Sequence, residues 1–269
     1  MLATLRQRNF ALLWFGALIS QTGDWLLGIG LTVYVYLLTG SALATSIVLI
    51  VEFVPGTVLS SFAGVFVDRW DRRWTMIISN LLLACGLLPL LAVHDKSSLW
   101  IVYVVQFFEA SAAQFVLPAE GALLPHLVSE EQLMTANALK SISQNTARLA
   151  GAALGGLIVG LLGLKCVILL DTASFLFASL TLWLMRIPAQ PHLTSEKDSV
   201  TETPVPATFS LKQLGREWLE GIQLIYRQRA LLILFIMIAI QGLGEGVFTV
   251  LLVVFVRKVL GGGAVAYGS

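Results

Sequence analysis

Seven stretches of mostly apolar residues, each long enough to cross a lipid bilayer, constrain this chain more than any other feature. A bilayer core of about 30 Å needs about 20 apolar residues in an α-helix. Charged residues make up only 12% of the chain and its mean hydropathy is +0.84, too apolar for a water-exposed protein. The sequence therefore predicts an all-α, polytopic membrane protein. The predicted spans are 11–39, 43–67, 74–93, 99–117, 138–164, 166–186 and 231–256.

Lysine and arginine residues fall mostly on one side of these spans. If the N-terminus is cytoplasmic, 12 of the 17 lie in cytoplasmic segments and 4 on the opposite side, with Arg148 inside a span. Cytoplasmic connections of membrane proteins are enriched in these residues. We therefore expect a multi-pass protein of the cell inner membrane with a cytoplasmic N-terminus.

The spans divide the chain into three predicted segments. Residues 1–187 hold a six-helix transmembrane bundle, and residues 231–269 begin a second bundle. Residues 188–209 are rich in Pro, Ser, Thr and charge, a composition that buries too little apolar area to fold. From Ser210 onward, apolar residues on one helical face predict an amphipathic helix on the membrane surface. Residues 188–230 are thus expected to form a cytoplasmic linker.

Several functional classes are disfavoured by what the chain lacks. Its net charge of +1 provides no basic field to attract nucleic acid. Cys85 and Cys166 lie in apolar runs without the spacing of a metal site, and no hydrolase, metalloprotease or phosphate-loop motif occurs. We predict no metal, no cofactor, no nucleic-acid partner and no enzymatic activity.

The connection between the second and third spans is unusually rich in charge, with the sequence GVFVDRWDRR over residues 64–73. Its Asp and Arg side chains could form an exchangeable charge network at a helix end. Alternatively, the arginines could be a positive-inside stop signal with incidental acids.

A block of small residues in the fifth span, residues 151–156, contains Gly151, Gly155 and Gly156. Small residues let two helix backbones touch, which would allow one helix to pivot on another. The other interpretation is an ordinary helix-packing seam.

Both features resemble signatures of the major facilitator superfamily. The loop is similar to the pattern G-x-x-x-D-R-x-x-R-R, which implies that its charged residues help to lock a cytoplasmic gate. The block resembles G-P-x-x-G-G of the fifth helix of antiporters, with Ala152 in place of Pro. The residues that match the loop pattern are Gly64, Asp68, Arg69, Arg72 and Arg73.

Weaker matches along the chain, such as 118–125 and 170–175, resemble the exporter branch that includes enterobactin and macrolide efflux carriers. Such carriers have twelve spans. The resemblance therefore implies that this chain stops after the seventh span, that its C-terminal half is a missing partner, and that it would not transport alone.

Ionisable residues inside a membrane are expensive and are functional candidates by default. Asp24, Glu52 and Glu109 each lie near the middle of a span, where they could face a central cavity and exchange protons. Arg148 is the predicted counter-ion of Glu109, because their spans are neighbours in the chain. Helix-helix contacts without a role in transport remain the alternative.

Two other acids are predicted to differ from these. Asp171 lies near the outer start of the sixth span, where solvent could reach it, which favours a structural role. Glu245 lies among glycines of the seventh span, and we expect an irregular or flexible helix there that lines a substrate path.

These features favour a secondary transporter that exports small amphipathic molecules, drug-like or siderophore-like, by proton-coupled alternating access. The expected partners are the small-molecule substrate, protons and the lipid bilayer. An uptake symporter, or a truncated chain without transport activity of its own, remains an alternative.

Overall fold

The computed structural model describes residues 2–186 and 227–258, and it contains helices and no strands over those ranges. The α-helices are α1 Leu2–Leu5, α2 Arg8–Thr39, α3 Ala42–Arg69, α4 Arg72–Gly86, α5 Leu99–Leu123, α6 Glu130–Leu162, α7 Leu164–Leu184 and α8 Arg229–Lys258. Short 3₁₀ turns cover Leu88–Ala92, Lys96–Ser98 and Leu124–His126.

Among the described residues, six segments are long and apolar enough to cross a membrane, and they overlap the first six predicted spans. Helices α2 to α7 form them, and the third segment extends beyond α4 through the 3₁₀ turn Leu88–Ala92. Helix α8 coincides with the seventh predicted span, whose crossing of the membrane stays a prediction. The predicted linker and surface helix, residues 188–226, lie outside the described residues.

The fourth and fifth spans are longer than the sequence predicted. Helix α5 continues through Pro118 to Leu123 instead of ending at 117, and α6 begins at Glu130 instead of 138. Hydropathy measures only the apolar core of a membrane helix, whereas both of these helices extend into polar segments. The polar residues at these two helix ends therefore belong to the bundle.

The six long helices pack in two groups of three. Helix α2 packs mainly against α6 and α7, and α5 packs mainly against α3 and α4. We call these the α2 group and the α5 group; contacts between α4 and α7 and between α2 and α3 join them. The two groups correspond helix by helix, α2 to α5, α6 to α3 and α7 to α4, and the principal contacts of one group have counterparts in the other. This correspondence is expected for a repeat of three helices.

One end of the bundle carries most of its arginines, and we call it the basic end. Arg73 there donates from Nε to the Leu182 carbonyl oxygen at 2.8 Å and from Nη2 to that of Trp183 at 2.6 Å. Arg72 donates to the Ala122 carbonyl oxygen at 3.2 Å. Carbonyl groups at a helix C-terminus lack partners within the helix and carry partial negative charge. Arg73 therefore caps the C-terminal end of α7, and Arg72 caps the C-terminal end of α5.

Glycines of α2 allow its neighbours to approach closely. A Cβ atom at Gly16 would collide with Thr181 of α7, and one at Gly30 would lie 2.7 Å from Val159 Cγ2 of α6. Gly28 has no such neighbour among the described residues; it lines an open space in the bundle.

Candidate functional site

A cavity of about 520 Å³ lies between the α2 group and the α5 group. Residues from α2, α3, α4, α5, α6 and α7 line it. Ligand sites of proteins are concave and have volumes of about 300 to 1,000 Å³. The cavity is thus large enough for a small organic molecule.

The lining of this cavity is strongly acidic. The structure brings the predicted residues Asp24, Glu52, Glu109 and Arg148 to it, from four different helices. Amide side chains, including Gln21, Gln106, Gln114, Gln144 and Asn145, also line it. The carboxyl groups in the lining are those of Asp24, Glu52, Glu109, Glu120 and Asp171.

Asp171 is buried, and the predicted access of solvent to this residue is wrong. Only 1% of its surface is exposed, and its carboxyl group lies against Gly23 of α2. Its Oδ1 accepts a hydrogen bond from the Ser174 hydroxyl at 3.0 Å, while its buried Oδ2 has no hydrogen-bond partner among the described residues. Because Gly23 has no side chain, α2 can lie directly over the Asp171 carboxyl group. The position of Asp171 near the start of its own helix did not indicate this burial.

The predicted ion pair between Glu109 and Arg148 does not form within the described part of the chain. Glu109 Oε1 is buried without a hydrogen-bond partner there and lies close to Gly86 of α4. The Arg148 guanidinium carbon lies 5.2 Å from the ring centroid of Trp25, within range of a cation–π interaction. The prediction assumed that helices consecutive in the chain are also packed together, whereas α5 and α6 belong to different groups.

Sequence reasoning missed an ion pair at one end of the cavity. Lys140 Nζ of α6 lies 3.2 Å from Glu120 Oε2 of α5, and the Glu120 side chain is only 6% exposed. Glu120 falls outside the predicted fourth span, and Lys140 lies at the start of the predicted fifth span, where it was counted with the cytoplasmic lysines and arginines. A signal was nevertheless present, because Lys140, Gln144 and Arg148 recur at every fourth position and mark one face of a helix.

The charged loop contributes helix caps to the basic end. Besides the caps made by Arg72 and Arg73, the Asp71 carboxylate accepts a hydrogen bond from the backbone N–H of Trp74 at 2.8 Å and caps the start of α4. The side chains of Asp68 and Arg69 lie outside those the structure describes. The predicted role of the loop in a gate stays a prediction.

The glycine block forms the seam between α6 and α2. A Cβ atom at Gly151 would lie 2.8 Å from the Thr22 carbonyl oxygen, and one at Gly155 would lie 2.8 Å from that of Leu26. Gly156 is buried on the same helix. Backbone contact between these two helices is therefore established, while pivoting stays a prediction.

Helix α8 is continuous through Gly242, Gly244 and Gly246, so the irregularity predicted there is absent from its backbone. The side chain of Glu245 lies outside those the structure describes. Its predicted place on a substrate path stays a prediction.

Known proteins match this chain over most of its length. The chain is 30% identical to macrolide efflux protein A of Streptococcus pyogenes over 182 residues, which are 67% of this chain and 45% of that protein. It is 32% identical to macrolide efflux protein A of Enterococcus faecalis over 55% of this chain and 46% of that protein. It is 24% identical to the MFS-type transporter YkuC of Bacillus subtilis over 91% of this chain and 56% of that protein.

The chain thus spans about half the length of the curated relatives it matches. Residues 13–269 match the family description of the Major Facilitator Superfamily, in agreement with the helical bundle and its cavity. This chain belongs to the Major Facilitator Superfamily of multi-pass membrane transporters, and it is not an enzyme.

Proposed function

We propose that this protein exports small amphipathic molecules, macrolide-like compounds among them, by proton-coupled alternating access. The observation that carries the proposal is the cavity between the two helix groups, with five carboxyl groups and one arginine in its lining. Such an excess of acids favours positively charged species, which are protons or a protonated amine of the substrate. The efflux function of two relatives supports the direction of transport.

Accumulation of a radiolabelled macrolide in cells tests this function. Cells that produce the protein, or the whole protein if this chain is part of a longer one, should retain less of the label than cells without it. An uncoupler should abolish the difference, because a dissipated proton gradient no longer drives export. Unchanged accumulation in the presence of the uncoupler would exclude proton antiport, and uptake into right-side-out vesicles would favour a symporter.

Two substitutions connect the cavity to this activity. Asp24→Asn and Glu109→Gln remove one ionisable carboxyl group each and should lower uncoupler-sensitive export at least tenfold. Glu131→Gln is the matched control, because Glu131 is an exposed acid at the start of α6. Full export by both cavity variants would contradict a role for these acids.

We also propose that the basic end is cytoplasmic and that the protein lies in the inner membrane. The arginines at the starts of α2 and α4 support this orientation. Single cysteines at Ser97 and Ser129, at opposite ends of the bundle, can be probed with a membrane-impermeant maleimide after replacement of Cys85 and Cys166. Labelling of the Ser97→Cys variant alone in intact cells is expected, and the reverse pattern would invert the topology.

A further inference from the structure

A second concave site lies at the basic end, apart from the acidic cavity. It has a volume of about 450 Å³ and is formed by the start of α2, the connection between α5 and α6, and the residue Arg186 beyond the end of α7. Arg8, His126 and Arg186 line it, and the described part of the chain contributes no carboxyl group to its lining. We call this site the basic pocket. Its charge favours an anionic ligand.

Hydrogen bonds between α2 and the end of α7 hold the two arginines at this pocket. Asn9 donates from Nδ2 to the Arg186 carbonyl oxygen at 2.9 Å, and its Oδ1 accepts a hydrogen bond from the Arg186 backbone N–H at 3.2 Å. Arg8 donates from Nη2 to the Leu184 carbonyl oxygen at 3.5 Å. Consecutive residues of α2 therefore bind consecutive turns of backbone at the end of α7, and the pocket has a defined shape.

Most of the hydrogen-bond donors of these arginines remain available to a ligand. A guanidinium group carries five N–H donors, and the contact with Leu184 uses one of those of Arg8. Neither Arg8 nor Arg186 forms an ion pair with a carboxylate among the described residues. Arg72 of α4 contacts the His126 ring, which brings a third positive charge next to the pocket. Paired guanidinium groups match the geometry of phosphate oxygens.

An exposed apolar face of α7 leads to the basic pocket. Leu180, Trp183 and Leu184 lie on successive turns of this helix and are 50%, 60% and 42% exposed. Tryptophan is enriched at the interface between a membrane and water, so Trp183 marks the level of the lipid headgroups. The contact of Arg8 with the Leu184 carbonyl places the pocket at this level. A phospholipid matches both the charge of the pocket and the apolar face, whereas a soluble phosphate matches only the charge.

We propose that the basic pocket binds the phosphate of an anionic phospholipid whose acyl chains lie along α7. Arg8 and Arg186 donate hydrogen bonds to the phosphate oxygens, and Asn9 is the positioning residue that holds Arg186 in place. Basic pockets between membrane helices are known to bind acidic headgroups in other proteins. The bound lipid would join α2 to α7 at the membrane surface. This site is independent of the transported molecule and does not rest on the proposed function.

Native mass spectrometry of the purified protein in a neutral detergent tests the proposal, because it counts bound lipids directly. One molecule of phosphatidylglycerol should bind at least about tenfold more tightly than phosphatidylcholine, whose headgroup has no net charge. The double variant Arg8→Gln with Arg186→Gln should weaken the binding of phosphatidylglycerol about tenfold or more. Lys96→Gln with Lys165→Gln is the matched control, since it removes the same charge from exposed residues at the opposite end of the bundle. That control should bind phosphatidylglycerol like the parent.

Two further measurements separate a built site from general attraction to charge. Asn9→Ala keeps both arginines but removes the hydrogen bonds to Arg186, and it should weaken the binding of phosphatidylglycerol about fivefold, the value of one hydrogen bond. Attraction that depends on net charge alone would leave this variant unchanged. Inorganic phosphate and glycerol phosphate, added at the concentration of the lipid, should not displace it, because they lack acyl chains.

Equal binding of phosphatidylglycerol by the parent and the double arginine variant would overturn the proposal, and so would equal binding of the two lipids. Displacement of the lipid by either soluble phosphate would assign the pocket to a soluble anion instead. An unchanged Asn9→Ala variant would refute the positioning role. If the double arginine variant does not fold, Arg8→Gln and Arg186→Gln are measured singly, and unchanged affinity in both would equally refute the site.

Discussion

The α2 group and the α5 group have the same arrangement of helices, but their seams are packed differently. In the α2 group, Gly151 and Gly155 of α6 face the backbone of α2 at distances that leave no room for a side chain. In the α5 group, a Cβ at Gly56 of α3 would have Gln114 Nε2 of α5, at 3.7 Å, as its one close neighbour among the described residues. The two copies of a repeat can therefore share one topology although their helices pack differently. The α2–α6 contact is tight, whereas the α3–α5 contact leaves space beside Gly56.

This difference predicts where the bundle tolerates a larger side chain. Gly151→Val should destabilise the folded bundle by about 3 kcal/mol, because its Cβ would meet Thr22 O at 2.8 Å and Leu26 N at 3.0 Å, and a backbone cannot move aside locally. Thermal unfolding in detergent measures the effect. Gly121→Ala on α5, where the added atom meets open space, is the control, and equal unfolding temperatures of the two variants would contradict a rigid seam.

The helix caps at the basic end differ between the groups as well. Arg73 makes two hydrogen bonds to the end of α7, whereas Arg72 makes one to the end of α5 besides its contact with His126. Arg73→Gln should therefore lower stability by about 2 kcal/mol, which is the loss of a charged hydrogen-bond donor to carbonyl groups. Arg72→Gln should have the smaller effect in the same unfolding assay. A larger loss of stability for Arg72→Gln than for Arg73→Gln would show that the Arg73 hydrogen bonds do not stabilise the end of α7.

A third difference concerns the acids that lie against glycines. Gly23→Ala in the α2 group should displace the Asp171 carboxylate from Ser174 and cost about 1 kcal/mol, the value of one hydrogen bond. Gly86→Ala in the α5 group meets the ring edge of Phe108 and the tip of Glu109, which can rotate away, so a smaller loss is expected. Unfolding temperatures of the two variants provide the comparison. A larger loss for Gly86→Ala would show that the α5 group is the more tightly packed.

The smallest change of stability is expected for a substitution at the contact between α3 and α5, where space remains beside Gly56. Gly56→Ala should raise stability by a few tenths of a kcal/mol, because alanine favours a helix more than glycine does and the nearest atom lies at ordinary contact distance. A destabilised variant, measured by the same thermal unfolding, would mean that this seam closes more tightly than the structure shows.

Much of the candidate site was accessible from the sequence. Asp24, Glu52, Glu109 and Arg148 were predicted because ionisable residues are conspicuous in apolar spans, and all four line the cavity. The partner of Glu109 was predicted wrongly, since proximity along the chain was taken for proximity in space. Glu120 was missed because the predicted fourth span ended at 117, whereas the helix continues past Pro118 to Leu123.

By itself, the sequence determined the membrane environment, the first six helices and the family, because hydropathy and local motifs depend on residues close together in the chain. Only the tertiary structure decided which helices meet, that Asp171 is buried and that Glu120 finds Lys140. Those outcomes depend on where small residues such as Gly23 and Gly151 let non-consecutive helices approach. Lipid is as apolar as a leucine side chain, so hydropathy alone does not select lateral neighbours; packing and polar contacts do.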